Sequence, residues 1–221
     1  MSNMQLDTLR RIVQEINASV SLHDSLDIMV NHVAEAMHVD VCSIYLLDER
    51  NKRYVLMASK GLKPEAVGHV SLNVGEGLVG LVGKREEIVN LDNAQKHERF
   101  AYLPETGEEL FNSFLGVPVM YRRKVMGVLV VQNQEPQDFS EAAESFLVTL
   151  CAQLSGVIAH AHAVGNIDVF RKPTSGSSYK TFQGVSGAGG IALGRAIVLY
   201  PPADLAAMPD REAEDISDEV E

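Results

Sequence analysis

Residues 113–134, SFLGVPVMYRRKVMGVLVVQNQ, hold two strand-forming runs separated only by Arg122 and Arg123. A connection that short brings two strands together antiparallel, because a parallel pair needs a crossover of about a dozen residues or more. The runs 113–121 and 124–133 therefore predict a hairpin. Pro118 lies inside it and has no N–H to give to a ladder, so it is expected at an edge or a bulge. VCSIYLLDERNKRYVLMASKG, residues 41–61, repeats the pattern, with strands predicted over 41–47 and 53–59 and a turn at 48–52. Two hairpins exclude a fold in which single strands alternate with helices, and they impose a largely antiparallel sheet.

Helices frame these hairpins. Leu6, Leu9, Ile12, Val13 and Ile16 recur at helical spacing, and so do Leu22, Leu26, Met29, Val30, Val33 and Met37. Ser21 is the expected N-cap of the second helix, with Asp24 three residues on. A short strand is predicted at 69–73, a helix over about 76–84 and a short strand in EEIVNLDNA. A long helix is predicted from Phe139 to His162, entered through Ser140. The fold class is α+β with about six strands. Residues 164–182 are polar and read as a linker. GVSGAGGIALGRAIVLY and an acidic tail follow.

SLNVGEGLVGLVGK, residues 71–84, places Gly75, Gly77 and Gly80 at the G-x-G-x-x-G spacing of dinucleotide-binding loops. That fold needs a buried apolar strand before the glycines, a full crossover helix after them and an acid about 20 residues on. Here HVSLNV alternates like a half-exposed strand, the following helix is short, and Glu76 puts a carboxylate where phosphate should sit. A P-loop fails as well, with Leu78 at its first glycine and Arg85 in place of Ser or Thr. The glycines have another purpose.

The formal net charge is −11, and residues 201–221 alone hold eight acids against one base. A mildly acidic body is the wrong footprint for nucleic acid, and YRRK at 121–124 reads as a solvated hairpin tip. No apolar run approaches the length of a membrane span, and the N-terminus has no apolar signal core, so a cytoplasmic location without a membrane partner is expected. Cys42 and Cys151 lie far apart in apolar runs and read as buried thiols. His160 and His162 point to different sides of one helix, so no metal site is expected.

VCSIYLLDE, VGEGLVGLVG, FLGVPVMYRRKVMGVLVVQN and FSEAAESFLVTLCAQLSGVIAHA, taken in order, resemble a GAF domain over residues 4–163. The resemblance implies a central antiparallel sheet with the N- and C-terminal helices on one face and a ligand pocket on the other. The glycine-rich stretch would open a short helix on the pocket side, where Gly77, Gly80 and Gly83 allow close packing. Ser43 and Tyr45 are then expected to face the pocket, with Cys42 facing the helices. Asp92 and Asn93 could fix polar groups of a ligand, Ser113 and Phe114 begin a strand nearby, and Glu76 could meet an amino group. The cyclic-nucleotide branch of the family carries Asn-Lys…Phe-x-x-x-Asp-Glu. This chain has Asn133-Gln134…Phe139-x-x-x-Ala143-Glu144, which removes both halves of that ion pair and argues against cyclic GMP or cyclic AMP.

GVSGAGGIALGRA, residues 184–196, resembles the opening strand of phosphoenolpyruvate–protein phosphotransferases, the enzyme I proteins. A GAF domain (1–163), a linker (164–182) and this strand with its tail (183–221) is the layout of the nitrogen-branch enzymes. Such a parent takes phosphate from phosphoenolpyruvate with magnesium onto a histidine and passes it to a phosphocarrier protein. None of the seven histidines here follows the Gly-Gly-x-x-Ser-His-like motif, so this chain, without cofactor or catalytic residues, is expected to regulate rather than catalyse. The expected partners are a nitrogen-status metabolite, such as glutamine or 2-oxoglutarate, and a second copy of the chain. For the terminal helices, Leu6, Leu9, Val13 and Ile16 with Phe146, Leu150, Leu154, Val157 and Ala161 would cover the sheet or form a dimeric bundle. The alternatives are a ligand-free dimerisation module and a catalytic GAF domain of the methionine sulfoxide reductase kind. The latter needs a close set of reactive cysteines.

Overall fold

The computed structural model describes residues 3–19, 21–101, 103, 106 and 111–163; the linker and the phosphotransferase-like strand lie outside them. The strands are β1 (Val41–Asp48), β2 (Arg53–Lys60), β3 (Ser71–Asn73), β4 (Val89–Leu91), β5 (Ser113–Tyr121) and β6 (Lys124–Asn133). They form one sheet in the order β3-β2-β1-β6-β5-β4, and every neighbouring pair is antiparallel. The two hairpins predicted from spacing are β1–β2 and β5–β6. They are joined at the centre by the pairing of β1 with β6, from Val41 opposite Gln132 to Leu46 opposite Gly127.

Pro118 sits where its missing donor does no harm. β4 covers only Phe114 to Gly116 of β5, so Pro118 has a partner on the β6 side and a free edge on the other. A bulge at Val119–Met120 follows directly.

The described residues also form four α-helices: α1 (Asn3–Ala18), α2 (Leu22–Met37), α3 (Gly77–Arg85) and α4 (Glu141–Ala163). The Ser21 side chain caps α2 by accepting from Asp24 N at 3.1 Å. Ser140 Oγ likewise accepts from Ala143 N at 3.3 Å where α4 begins. Side chains alternate across the sheet, and the two parities enter different cores. Cys42, Ile44 and Leu46 of β1 pack with Ile12 and Ile16 of α1, with α2 and with α4. Val41 and Tyr45 pack with Leu78, Val79, Leu81 and Val82 of α3. Hence α1, α2 and α4 share one face and α3 holds the other. α4 is apolar and long enough to cross a membrane by length and composition, a test that a core helix also passes. Here eight of its residues are buried.

The glycine question closes on packing. A Cβ on Gly80 would lie 2.8 Å from the backbone of Gly75 and 3.0 Å from Asn73 O. A Cβ on Gly83 would lie 1.9 Å from Tyr54 Oη, and Tyr54 is itself 1% exposed. The helix therefore rests with its bare backbone on the β3–α3 turn and on a tyrosine of β2. Gly83→Ala should force α3 off the sheet and cost about 1–3 kcal/mol, the usual scale of overpacking. At Gly156 of α4 nothing lies within 4 Å of a built Cβ, so Gly156→Ala should stabilise by about 0.5–1 kcal/mol through helix propensity. Urea melts of the two variants should shift in opposite directions.

Candidate functional site

Between the first turn of α3 and the sheet lies a cavity of about 20 Å³, closed by Leu72, the Gly77–Val79 turn, Phe100, Ala101, Phe114 and Gln132. Among the described residues no charged side chain lines it. Gln132 occupies the β6 parity that faces α3, shared with Val128 and Val130. It is 4% exposed, and its Oε1 is buried without a hydrogen-bond partner among the described residues. A buried acceptor left unmade costs about 1–3 kcal/mol, so it is a feature to be explained.

Local sequence leaves the roof of this cavity open to hydrogen bonding. Glu76 is the N-cap residue of α3, but its side chain does not cap the helix. Its Oε2 instead turns back to accept from Asn73 N at 2.9 Å and Asn73 Nδ2 at 2.7 Å. Gly80 N finds Glu76 O at 2.9 Å. Gly77, Leu78 and Val79 therefore keep the free donors that every helix N-terminus carries.

The residues singled out in the sequence divide into three groups. Phe114 lines the cavity. Tyr45 and Ser43 are fully buried on the same sheet parity, Tyr45 inside the α3-side core and Ser43 with its Oγ 2.9 Å from Ser59 Oγ across the hairpin. Of the remaining four, Glu76, Asn93 and Ser113 are engaged in local hydrogen bonds. Glu76 is exposed and closes the β3–α3 turn, while Asp92 is exposed on the loop after β4. Asn93 Oδ1 accepts from Lys96 N at 3.3 Å, and Ser113 Oγ accepts from Asn133 N at 3.1 Å. Gln132 was not among the candidates, although a glutamine on the core parity of VMGVLVVQN is a legible signal.

A second polar cluster joins β4 to α4. Val89 and Leu91 point into the α3-side core, which leaves Asn90 on the opposite face. Asn90 Nδ2 donates to Phe139 O and to Glu144 Oε1, each at 2.8 Å, and Phe139 N donates to Asn90 Oδ1 at 3.3 Å. One edge strand thus touches both layers.

Open hollows of about 590, 580 and 570 Å³ lie elsewhere, against α1–α2–α4, the β2–β3 connection and the start of α4. Among the described residues they contain no comparable orphaned group. Among the described residues no set of three or more His, Cys, Asp or Glu is grouped to hold a metal ion. Burial pushes the thiols of Cys42 and Cys151 well above their usual range, and Cys151 adds to the rise at Cys42.

The GAF domain pattern matches residues 21–158. The chain belongs to the GAF family. Its core is 84% identical to the GAF domain of an Acinetobacter phosphoenolpyruvate-protein phosphotransferase, whose crystal structure superposes with a TM-score of 0.69 over 75% of this chain and 99% of that one. The corresponding Coxiella burnetii GAF domain is 43% identical, with a TM-score of 0.71 over 75% of this chain and 99% of its own. The phosphoenolpyruvate-dependent phosphotransferase system protein of Salmonella typhimurium is 42% identical over 167 residues, 76% of this chain. The chain spans 22% of that relative's length. The match falls on the GAF domain, and the phosphotransferase resemblance read from the sequence holds at that level.

The state of the thiols separates this GAF domain from one that works through cysteine. Because only thiolate reacts, a pKa raised by burial predicts that neither Cys42 nor Cys151 is modified by a thiol reagent at pH 8 in the native protein. Both should react after unfolding. Rapid stoichiometric labelling of the folded chain would instead reveal an accessible thiolate.

Proposed function

We propose that this chain is the regulatory, small-molecule-sensing domain of a phosphoenolpyruvate–protein phosphotransferase of the nitrogen branch, and that a nitrogen-status metabolite is its effector. The cavity beneath α3, which pairs a buried orphaned carboxamide with an uncapped helix end, carries this reading. In the whole protein, phosphate would pass from phosphoenolpyruvate to a histidine, with magnesium, and on to a phosphocarrier protein.

Regulation requires that occupancy be felt elsewhere. Phe114 at the cavity is paired with Leu91 of β4, the neighbouring Asn90 is bonded to Phe139 and Glu144, and α4 leads out of the domain. A shift of α3 against Phe114 therefore has a continuous hydrogen-bonded path to the output helix. Calorimetric titration with glutamine and with 2-oxoglutarate tests the reading. Saturable heat with one of them is expected, and at 100 times the dissociation constant the melting temperature should rise by about 5–10 °C. In Asn90→Ala, the ligand should still bind but should no longer alter hydrogen exchange in the first turn of α4. Flat titrations with both metabolites would remove the sensing reading.

The second reading is dimerisation, and one observation favours it. Ile16, Phe146, Leu150, Leu154 and Ala161, expected in a bundle or on the sheet, are buried within the chain. A row of α4 made of exposed Ala142, Ser145, Ala152 and Gly156 and half-buried Thr149 and Ala159 is instead uncharged, small and spaced alternately by three and four. That spacing suits close helix–helix approach in a homodimer. Light scattering should return a dimer mass at tens of micromolar, and Ala152→Glu should return a monomer. A monomer mass for the unaltered chain would exclude the pairing.

A further inference from the structure

We propose that the two hairpin turns, 49–52 and 122–123, form one basic docking surface for an acidic patch on a partner protein. This surface lies on the turn end of the sheet and does not depend on the sensing reading above.

Sheet topology brings the two turns together. β1 and β6 pair antiparallel as far as Leu46 opposite Gly127, so β1 ends and β6 begins at the same end of the sheet. Arg50, Lys52 and Arg53 come from the first hairpin and Arg122, Arg123 and Lys124 from the second, and all six are exposed. Residues 1–163 hold fourteen lysines and arginines against twenty-one acids. Six of those fourteen therefore stand at one end of four adjacent strands, β2-β1-β6-β5. At the usual strand spacing that is a width of about 15 Å. Elsewhere acids outnumber bases, and such an asymmetry orients a protein as it approaches an opposite charge.

The backbone holds these charges against its own preference. Lys52, Arg122 and Arg123 have φ of +53°, +47° and +65°. Both central residues of a two-residue hairpin turn need positive φ, which Asn-Gly adopts freely and arginine does not. The turns are also pre-shaped. Asp48 Oδ1 accepts from Arg50 N and Asn51 N, each at 3.1 Å, and Asp48 Oδ2 accepts from Asn51 Nδ2 at 2.7 Å. The Arg122 guanidinium lies 5.3 Å from the centre of the Tyr121 ring. A rigid array of cations loses little freedom when it meets its partner.

The rim of the patch selects a protein over an extended polyanion. Exposed Glu49 lies in the first turn. On the β3 side, Glu76 Oε2 accepts from Asn73 N, and Asn73 is the ladder partner of Arg53. A lipid surface or a nucleic-acid duplex, negative throughout, would press its charge on these carboxylates as well as on the cations. A protein surface can set carboxylates against the centre and neutral or basic groups against the rim.

Photo-crosslinking in the cells that make the protein tests this, with Glu49→p-benzoylphenylalanine as the probe at the edge of the patch. Irradiation should attach the probe to a protein, at a segment carrying two or more carboxylates. Arg122→Glu with Arg123→Glu should lower the yield at least about tenfold, and changing the mapped partner carboxylates to lysine should restore it. These exposed changes should leave the melting temperature within about 2 °C of the unaltered chain. Arg122→Asn with Arg123→Gly suits the turn better and should melt higher, yet it should lose the crosslink just as far. That pairing of greater stability with lost capture separates a docking role from a structural one, and it decides the question should the glutamate variant fail to fold. The proposal is overturned by the absence of a protein adduct, by adducts on nucleic acid or lipid, by a yield indifferent to either double variant, or by failure of the reciprocal charge change to restore it.

Discussion

The sheet is buried on both faces, and the rest of the molecule follows from that constraint. A strand covered on one side alternates apolar and polar residues. The strands β1, β5 and β6 instead carry near-continuous apolar runs, because one parity packs against α1, α2 and α4 and the other against α3. Polar residues within these strands therefore become exceptions that need partners. Ser43 finds Ser59 across the hairpin, and Ser113 finds the backbone of Asn133. Gln132 finds none.

Covering the second face so closely depends on the missing side chains of Gly80 and Gly83. With no Cβ between them, α3 rests on the β3–α3 turn and on Tyr54. Burial of Tyr54, with the nearby charge of Glu86, raises its hydroxyl above the usual pKa. This closeness is also why the cavity is small. A helix at ordinary distance would leave a wide apolar gap, whereas here the opening is confined to the first turn, where Glu76 has turned away and left free donors. The packing requirement and the candidate chemistry thus come from one stretch, VGEGLVGLVG.

β4 gives this layer its link to the other. It is a three-residue edge strand whose alternate side chains face opposite layers, so a change at Phe114 reaches the β4 backbone through ladder pairing, and Asn90 beside it holds Phe139 through two hydrogen bonds and Glu144 of α4 through one. An edge strand can make such a link because only one side of it is bound by ladder pairing. Central strands, held on both sides, have little freedom to move.

The fold was largely legible because its determinants are local. The two-residue connection at Arg122–Arg123, the short turn after β1 and the caps at Ser21 and Ser140 placed the hairpins and helices within a few residues of their observed bounds. Order and spacing also carried the GAF resemblance. The site was less legible, because it depends on which atoms meet across the sheet. Phe114 reached the cavity and Tyr45 the correct core, but Glu76, Asp92, Asn93 and Ser113 could not be assigned from residue type alone, since a carboxylate or amide serves a turn as readily as a ligand. By itself the sequence determined the two hairpins, the α+β class and the family, since these follow from short-range spacing and alternation, whereas the pairing of β1 with β6 joins residues far apart in the chain. Only the tertiary structure decided that the glycines seat α3 on the sheet, that α4 turns its larger apolar residues inward, and that Gln132 stands alone beneath the helix. Those outcomes depend on distances between residues far apart in the chain.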